Sequence, residues 1–431
     1  MHQIHTLIQL LRGDIRHLPR VVVLTIMSMA LYNFGWGFAD PYFSLYLESF
    51  TNDYTVIGFF QTLALAAAFL MTFPVGDLLD RTNHFRLMIF AKCGYAVVGI
   101  LYLTADILHS IPLLIIALLL NGFFMPFVWT GTIATLEDHT TKKHAAMTFG
   151  MFVTGYRIAW MLGLTIAVVL VRFLPIYIVF VPVIIFPLLS ALFNRRQPDA
   201  NHKEPILSAL KDIIVKDKIV VHFYWKMKQF SWEEWMVYAM YFVVASIQVM
   251  GLTFLPLYAR YLGYSISAAG TIVLLTNIPF LFSVLFAETA DHKGRLRNVI
   301  MAFAISGITA FLLSLFSSSG WLFVLIAVIF MVGHAMSIPA LTAIISILTS
   351  KKSTGSSAAF LDIAAFGGAI LFAPGIGLCV DIMGWRSTFI LYAVFLLCMM
   401  FFVVYIQYLF KKRNILYHNN HPRSKREPYV I

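Results

Sequence analysis

Twelve apolar runs, each long enough to cross a bilayer as a helix, follow one another along a chain of 431 residues. They lie near residues 20–48, 55–79, 87–107, 110–136, 145–171 and 174–193, and then near 235–260, 265–288, 298–317, 320–348, 355–381 and 385–410. A helix crosses the hydrocarbon layer with about 20 apolar residues, so twelve crossings need about 240. The chain supplies them: 60% of its residues are hydrophobic, 12% are charged, and the mean hydropathy is +0.83. A soluble domain carries about 25% charged residues, so this composition cannot coat a water-facing globule. That excludes a soluble enzyme, a nucleic-acid binder and a disordered scaffold. Inside lipid every backbone polar group must be satisfied within the segment, which leaves helices. The expectation is an all-α membrane protein. The first run is too long for a cleavable signal and lacks a small-residue cleavage site, so it is expected to remain as a helix.

The net charge of +11 comes from 31 Lys and Arg against 20 Asp and Glu. In a soluble protein such an excess would suggest nucleic acid, but its distribution here assigns it to topology. With the N-terminus inside, 26 basic residues fall in inner segments and only Arg172, Arg260 and Arg386 fall outside, while Lys92 and Arg157 lie within spans. The positive-inside rule then places both termini in the cytoplasm. Cys93, Cys379 and Cys398 sit in apolar stretches without metal or disulfide spacing and read as small buried hydrophobes.

Two segments outside the spans are amphipathic. Ile4, Leu7, Ile8 and Leu11 recur at helical spacing opposite His5, Gln9 and Arg12; after Pro205, Leu207, Leu210 and Ile214 do the same opposite Lys211 and Lys218. Both are expected to lie on the cytoplasmic surface. The organisation predicted is an amphipathic segment at 1–19, a six-helix bundle at 20–193, a polar central loop at 194–234, a second bundle at 235–410 and a basic tail at 411–431.

The two halves resemble each other. Asp40-Pro41-Tyr42 through Leu47 lines up with Leu255-Pro256-Leu257 through Leu262 at an offset of 215, and Gly76 through Arg86 lines up with Ala287 through Arg297 at an offset of 211. The second pair carries a recognisable signature. Gly76, Asp80, Arg81 and Arg86 match the form G-x-x-x-D-R/K-x-G-R/K-x-R/K between helices 2 and 3, with Asn83 and His84 departing from it. Asp291, Gly294, Arg295 and Arg297 repeat it between helices 8 and 9, with Ala287 in place of the leading Gly. On these motifs the chain resembles the major facilitator superfamily over essentially its whole length. The resemblance implies twelve transmembrane helices in two six-helix pseudo-symmetric bundles, and a latch at these loops that closes the cytoplasmic side. A tight turn at the signature suits Gly or Asn, which tolerate a left-handed backbone. Two patterns of the family's drug–proton antiporters are missing: helix 5 has Gly150, Gly155 and Gly163 without a Gly-Pro, and no Arg precedes Asn121-Gly122. Helix 11 instead holds Gly367-Gly368, Pro374-Gly375 and Gly377.

A charge at mid-membrane costs about 2.5–3.5 kcal/mol on insertion scales, so charged residues inside spans are the first places to seek function. Asp40 lies eight residues before Glu48 and is a candidate to exchange a proton with the outside. Arg157 lies 14 residues from Lys143 and 15 from Arg172, too far to snorkel, and must face a wet cavity, a carboxylate or an anionic substrate group. The family resemblance sets helices 1 and 5 in one cavity wall, which makes Asp40 and Arg157 candidate partners. Asp362 and His334 are further candidates for proton coupling. Asn33, Trp36, Gln61, Asn121, Trp129, Tyr156, Gln248 and Asn277 are candidate substrate contacts, with Trp160 and Tyr241 as possible aromatic walls. Lys92, only six residues beyond Arg86, reads as snorkelling inward.

There is no metal cluster, phosphate-cradling loop or nucleophile elbow, so neither metal nor cofactor is expected and the chain does not read as an enzyme. The expectation is a monomeric secondary transporter moving a small organic solute by alternating access, with proton coupling, in a bacterial inner membrane. Efflux of drugs or lipid-like amphiphiles is the alternative, and a non-transporting receptor on the same scaffold a remote one.

Overall fold

The structure is a computed structural model that describes residues 19–139, 145–195, 230–316, 320–348 and 354–412, together with 205, 208, 227 and 228. Among these residues every regular element is helical. Twelve membrane helices follow in order. Helix α1 runs Arg20–Ala39, passes through a 3-10 turn at Asp40–Tyr42 and resumes at Phe43–Glu48. Next come α2 at Tyr54–Arg81, α3 at His84–Ile107, α4 at Ile111–His139 and α5 at Ala145–Leu170. Helix α6 joins Ile176–Val179 to Phe180–Arg195.

The second half opens with α7, Trp232–Val249, which loosens into a π-turn at Met250–Phe254 before Leu255–Tyr261. Helix α8 runs Ile266–Asn277, Ile278–Phe282 and Ser283–Lys293. Helices α9 and α10 span Arg295–Leu315 and Gly320–Leu348. The last segment, Thr354–Lys412, is broken at Gly384 (φ 75°, ψ 167°) into α11 at 354–383 and α12 at 385–412. Ten segments are individually long and apolar enough to span; the last of them holds two crossings, and the broken, shorter α8 completes the twelve.

The irregular turns inside α1, α7 and α8 follow from proline. A proline has no N–H for the carbonyl four residues back and crowds it, so a helix loosens just before or at the ring. Pro41 and Pro256 occupy corresponding places in the two halves, and each helix is irregular at or immediately before its proline. Pro279 accounts similarly for the 3-10 turn in α8.

Packing divides the described residues into two compact units, drawn from Met1–Asp40, Leu70–Ala167 and Tyr177–Val220 in one case and from Pro41–Phe69, Val168–Ile176 and Val221–Ile431 in the other. In the first, α3 packs on α4 and α6, and α1 on α6. In the second, α9 packs on α10 and on the α11–α12 segment, which also holds α7. The amphipathic readings at 1–19 and after Pro205 fall outside the described residues, as do Lys142, Lys143 and the tail beyond Lys412.

Candidate functional site

The first unit brings Asp40, Trp160 and Arg157 together where α1 crosses α5. A side-chain carbon on Gly37 would collide with the Trp160 carbonyl, and one on Gly163 with the Phe34 carbonyl, so these two glycines let the backbones touch. That crossing sets the start of the α1 break against one face of α5. There the Trp160 indole N–H donates to Asp40 Oδ2 at 3.0 Å. Arg157, one turn earlier on α5, is half-buried and near enough for its charge to act on Asp40. Asp40 is exposed although Ala39 and Pro41 on either side are buried.

Aromatic rings surround this group. Trp36 and Tyr32 of α1 meet Tyr95 of α3 with ring centroids 5.4 and 5.3 Å apart. On α5 the Arg157 guanidinium lies 5.4 Å from the Tyr156 ring, which meets Trp129 of α4 edge-on at 5.3 Å. The remaining candidates of this unit are engaged locally. Asn33 donates to the Met29 carbonyl, and Asn121 donates to the Tyr102 hydroxyl at 3.0 Å.

Lys92 departs from the sequence expectation. It does not snorkel: its side chain is wholly buried and its Nζ donates to Ser28 Oγ at 2.6 Å. Ser28 in turn is bonded to Ser190 and Asn194 of α6 at 2.7–3.0 Å. Val21, Phe85 and Met88 form a buried apolar cluster between α1 and α3 a turn or two from this group. The serine hydroxyl holds the ammonium.

In the second unit the candidates are scattered. Asp362 is exposed on α11, Gln248 is exposed on α7, and Asn277 is buried at the α8 break, donating to the Val273 carbonyl at 2.8 Å. His334 is 4% exposed on α10, with its ring 5.4 Å from Phe280. Gln61 accepts from Thr253 Oγ1 at 2.7 Å.

The same unit holds a dense joint at the helix ends remote from the chain termini, which the sequence reading did not single out. Asp381 of α11 accepts from the Tyr54 and Thr55 N–H groups at 3.2 and 2.7 Å and from the Thr55 hydroxyl at 2.6 Å. It thus caps the N-terminus of α2 from another helix, at the positive end of the helix dipole. Asp53, in the loop before α2, accepts from the Val56 N–H at 3.0 Å, and this bond, foremost, holds its carboxyl below the usual range. Beside them Gly58 faces the Ala373 carbonyl, and Gly377 faces that of Tyr54, leaving no room for a side chain. A second joint links Arg172 Nε to Ser267 Oγ at 3.0 Å, and Ser267 donates to the Val168 carbonyl at 2.8 Å.

The signature loops differ from expectation at one point. Asn83 is not left-handed: it lies at φ −73°, ψ 112° and acts as the N-cap of α3, its side chain accepting from the Arg86 N–H. Gly294, its counterpart, does take a positive φ of 102°. Gly76 lies within α2 with open space around its α-carbon. Arg81 and Arg295 are half-exposed and Arg86 and Arg297 exposed, while the side chains of Asp80 and Asp291 lie outside the described set.

Twelve helices with prolines at corresponding breaks, a repeat offset of 211 at the signature loops and a polar site inside the spans set the frame for comparison. The description of the major facilitator superfamily matches residues 25–297 and 278–428. The chain belongs to that superfamily. It is therefore a multi-pass membrane protein of a transporter family rather than an enzyme, and small-molecule substrates go with that family. Among curated proteins it is 26% identical over 148 residues to the probable 4-methylmuconolactone transporter of Cupriavidus pinatubonensis, a match spanning 33% of this chain and 34% of that protein. Among solved structures it resembles a POT family transporter in complex with a thioalcohol conjugated peptide, at a TM-score of 0.72 and 12% identity, covering 92% of this chain and 96% of that one. The human organic anion transporter MFSD10 (TETRAN) gives a TM-score of 0.62 at 13% identity, covering 89% and 98%. At these identities the likeness shows the fold.

Proposed function

We propose that this superfamily member is a proton-coupled secondary transporter that moves a small organic solute by alternating access. The observation that carries the reading is the group at the α1–α5 crossing: Asp40, a carboxylate within its span, hydrogen-bonded to Trp160 and near the charge of Arg157. A carboxylate held this way can take up a proton when Arg157 is drawn to an anionic group of the cargo, and release it when Arg157 returns. Tyr156 and Trp129 are partly exposed and supply flat faces suited to a solute with an unsaturated or aromatic body, while Trp36, Tyr32 and Tyr95 are buried against one another.

The halves 20–193 and 235–410 are read as the rocking bodies, with 194–234 joining them. The joints at Asp381 and Arg172 support the reading, because they tie segments of the first half to the second at the end remote from the termini. With both termini cytoplasmic, that end is the outer gate in its closed state. The protein is read as a monomer of a bacterial inner membrane.

Reconstitution in liposomes with an imposed proton gradient and a panel of organic acids, nucleosides and amphiphiles tests this. Asp40→Asn is expected to abolish gradient-driven accumulation while leaving exchange of cargo intact. Arg157→Ala is expected to weaken transport of anionic cargo by about tenfold or more, as for loss of a charged hydrogen-bonding group worth about 1.5–3 kcal/mol. Equal losses in each single variant and in the double variant would show that the two residues act together. Unchanged pH-driven accumulation in Asp40→Asn would remove Asp40 as the proton carrier.

A further inference from the structure

A cavity of about 550 Å³ opens in the second unit between α7, α11, α12 and Phe69 of α2. Phe230 lies at its near end, with its ring 4.6 Å from Phe360 and 5.2 Å from Tyr238, and Met399 and Phe402 of α12 line it as well. None of its lining residues is charged. The polar group at Asp40 and Trp160 belongs to the other unit and shares no residue with the cavity lining.

Its position determines what can enter. The lining residues lie near the start of α7, in the first half of α11 and in the second half of α12, all toward the helix ends that carry the chain termini. Its wholly apolar lining suits an acyl chain better than a hydrated solute. The elements that line it also carry cations at that end. Lys228 directly follows Met227, a lining residue, and is exposed. Lys411 and Lys412 end α12 and are exposed, nine and ten residues beyond Phe402, which is about 13–15 Å of helix. Glu234 is tied into the cap of α7, accepting from the Ser231 N–H at 2.9 Å. Basic side chains at this depth attract anionic headgroups.

We propose that this cavity holds one acyl chain of an anionic phospholipid whose headgroup lies at Lys228, Lys411 and Lys412. The anionic headgroup sets the preference. Gly367 offers the means to test it. A side-chain carbon there would lie 3.6 Å from the Phe242 ring, an ordinary contact, so added bulk grows into the cavity without moving the backbone.

The full-length protein is purified in detergent and titrated separately with phosphatidylglycerol and phosphatidylcholine of identical chains. Bound lipid is counted by native mass spectrometry, and thermal stability is followed in parallel. The wild type is expected to retain one phosphatidylglycerol with a preference of about tenfold over phosphatidylcholine, the worth of one to two basic side chains near an anionic headgroup. Gly367→Leu and, independently, Ala239→Phe are expected to lose that lipid and its stabilisation while remaining folded. Lys228→Gln combined with Lys411→Gln and Lys412→Gln is expected to bind both lipids equally. Equal retention of the two lipids by the wild type, or retention of phosphatidylglycerol by both filled variants, would overturn the assignment. A photoreactive residue at position 239 that labels residues 413–431 instead of lipid would overturn it too, by giving the cavity to the tail.

Discussion

The two signature loops sit at equivalent places in the repeat and solve the same turn differently. Between α2 and α3 the chain leaves the helix over Thr82 and Asn83. The Thr82 hydroxyl turns back to the Leu78 carbonyl at 2.6 Å, and Asn83, in an extended conformation, caps the next helix. Between α8 and α9 a single residue does both jobs: Gly294, at φ 102° and ψ 128°, closes one helix and begins the next. Each loop nevertheless passes on the same backbone bond. The Leu87 N–H reaches the Asn83 carbonyl and the Asn298 N–H the Gly294 carbonyl, at the offset of 211 that relates the halves. The comparison teaches that the repeat preserves the start of the following helix, while the residue that achieves it is free to change.

The largest expected effect comes from exchanging the two residues. Gly294→Asn places a side chain where the backbone lies in a region nearly closed to anything but glycine, at a strain of about 1–3 kcal/mol. Asparagine tolerates left-handed helical angles, but a ψ of 128° lies outside them. Asn83→Gly is expected to lose only a few tenths of a kcal/mol, since glycine is a passable N-cap. Thermal unfolding of both variants in one detergent reads the asymmetry. Equal losses would mean that the two loops share one conformation after all.

A middle effect separates the cap from the turn. Asn83→Ala removes the side-chain acceptor of the Arg86 N–H without asking for any new backbone angle, at a cost of about 1 kcal/mol. Asn83→Asp keeps the acceptor, adds a negative charge at the α3 N-terminus and is expected to match the wild type or exceed it. If alanine proves harmless, the cap adds nothing and the first loop is held by Thr82 and the backbone bond from Leu87 to Asn83.

The same distinction marks how far the sequence could be read. Spans, their order and the joint at Gly384-Trp385 were legible because apolar length and glycine act locally. The rotation of each helix was not. Helices apolar on all sides carry no stripe to say which face meets which neighbour. Lys92 therefore read as a surface-seeking lysine, although α3 is turned so that Lys92 meets Ser28. Trp160 read as a wall, although it donates to Asp40; its place three residues beyond Arg157, on the same face, was the available sign. Asp381 carried no signal, because its partner is the backbone of a helix over 320 residues away in sequence.

The smallest effect concerns the residue after each turn. His84 stands where the second loop has Arg295, and its Nδ1 lies 3.8 Å from Asp138 Oδ2 at the end of α4. Asp138 is 63% exposed, so solvent and salt weaken whatever attraction the pair has. His84→Arg brings the first loop closer to the second and gives Asp138 a permanent cation. Exposed pairs are worth about 0–1 kcal/mol, so a gain of a few tenths is expected at low salt. That gain is expected to vanish near about 1 M salt, where the screening length falls to about 3 Å. A gain that persists at high salt would mean that the arginine binds the α4 terminus by hydrogen bonds rather than by charge, and the two loops would then differ in their contacts as well as in their turns.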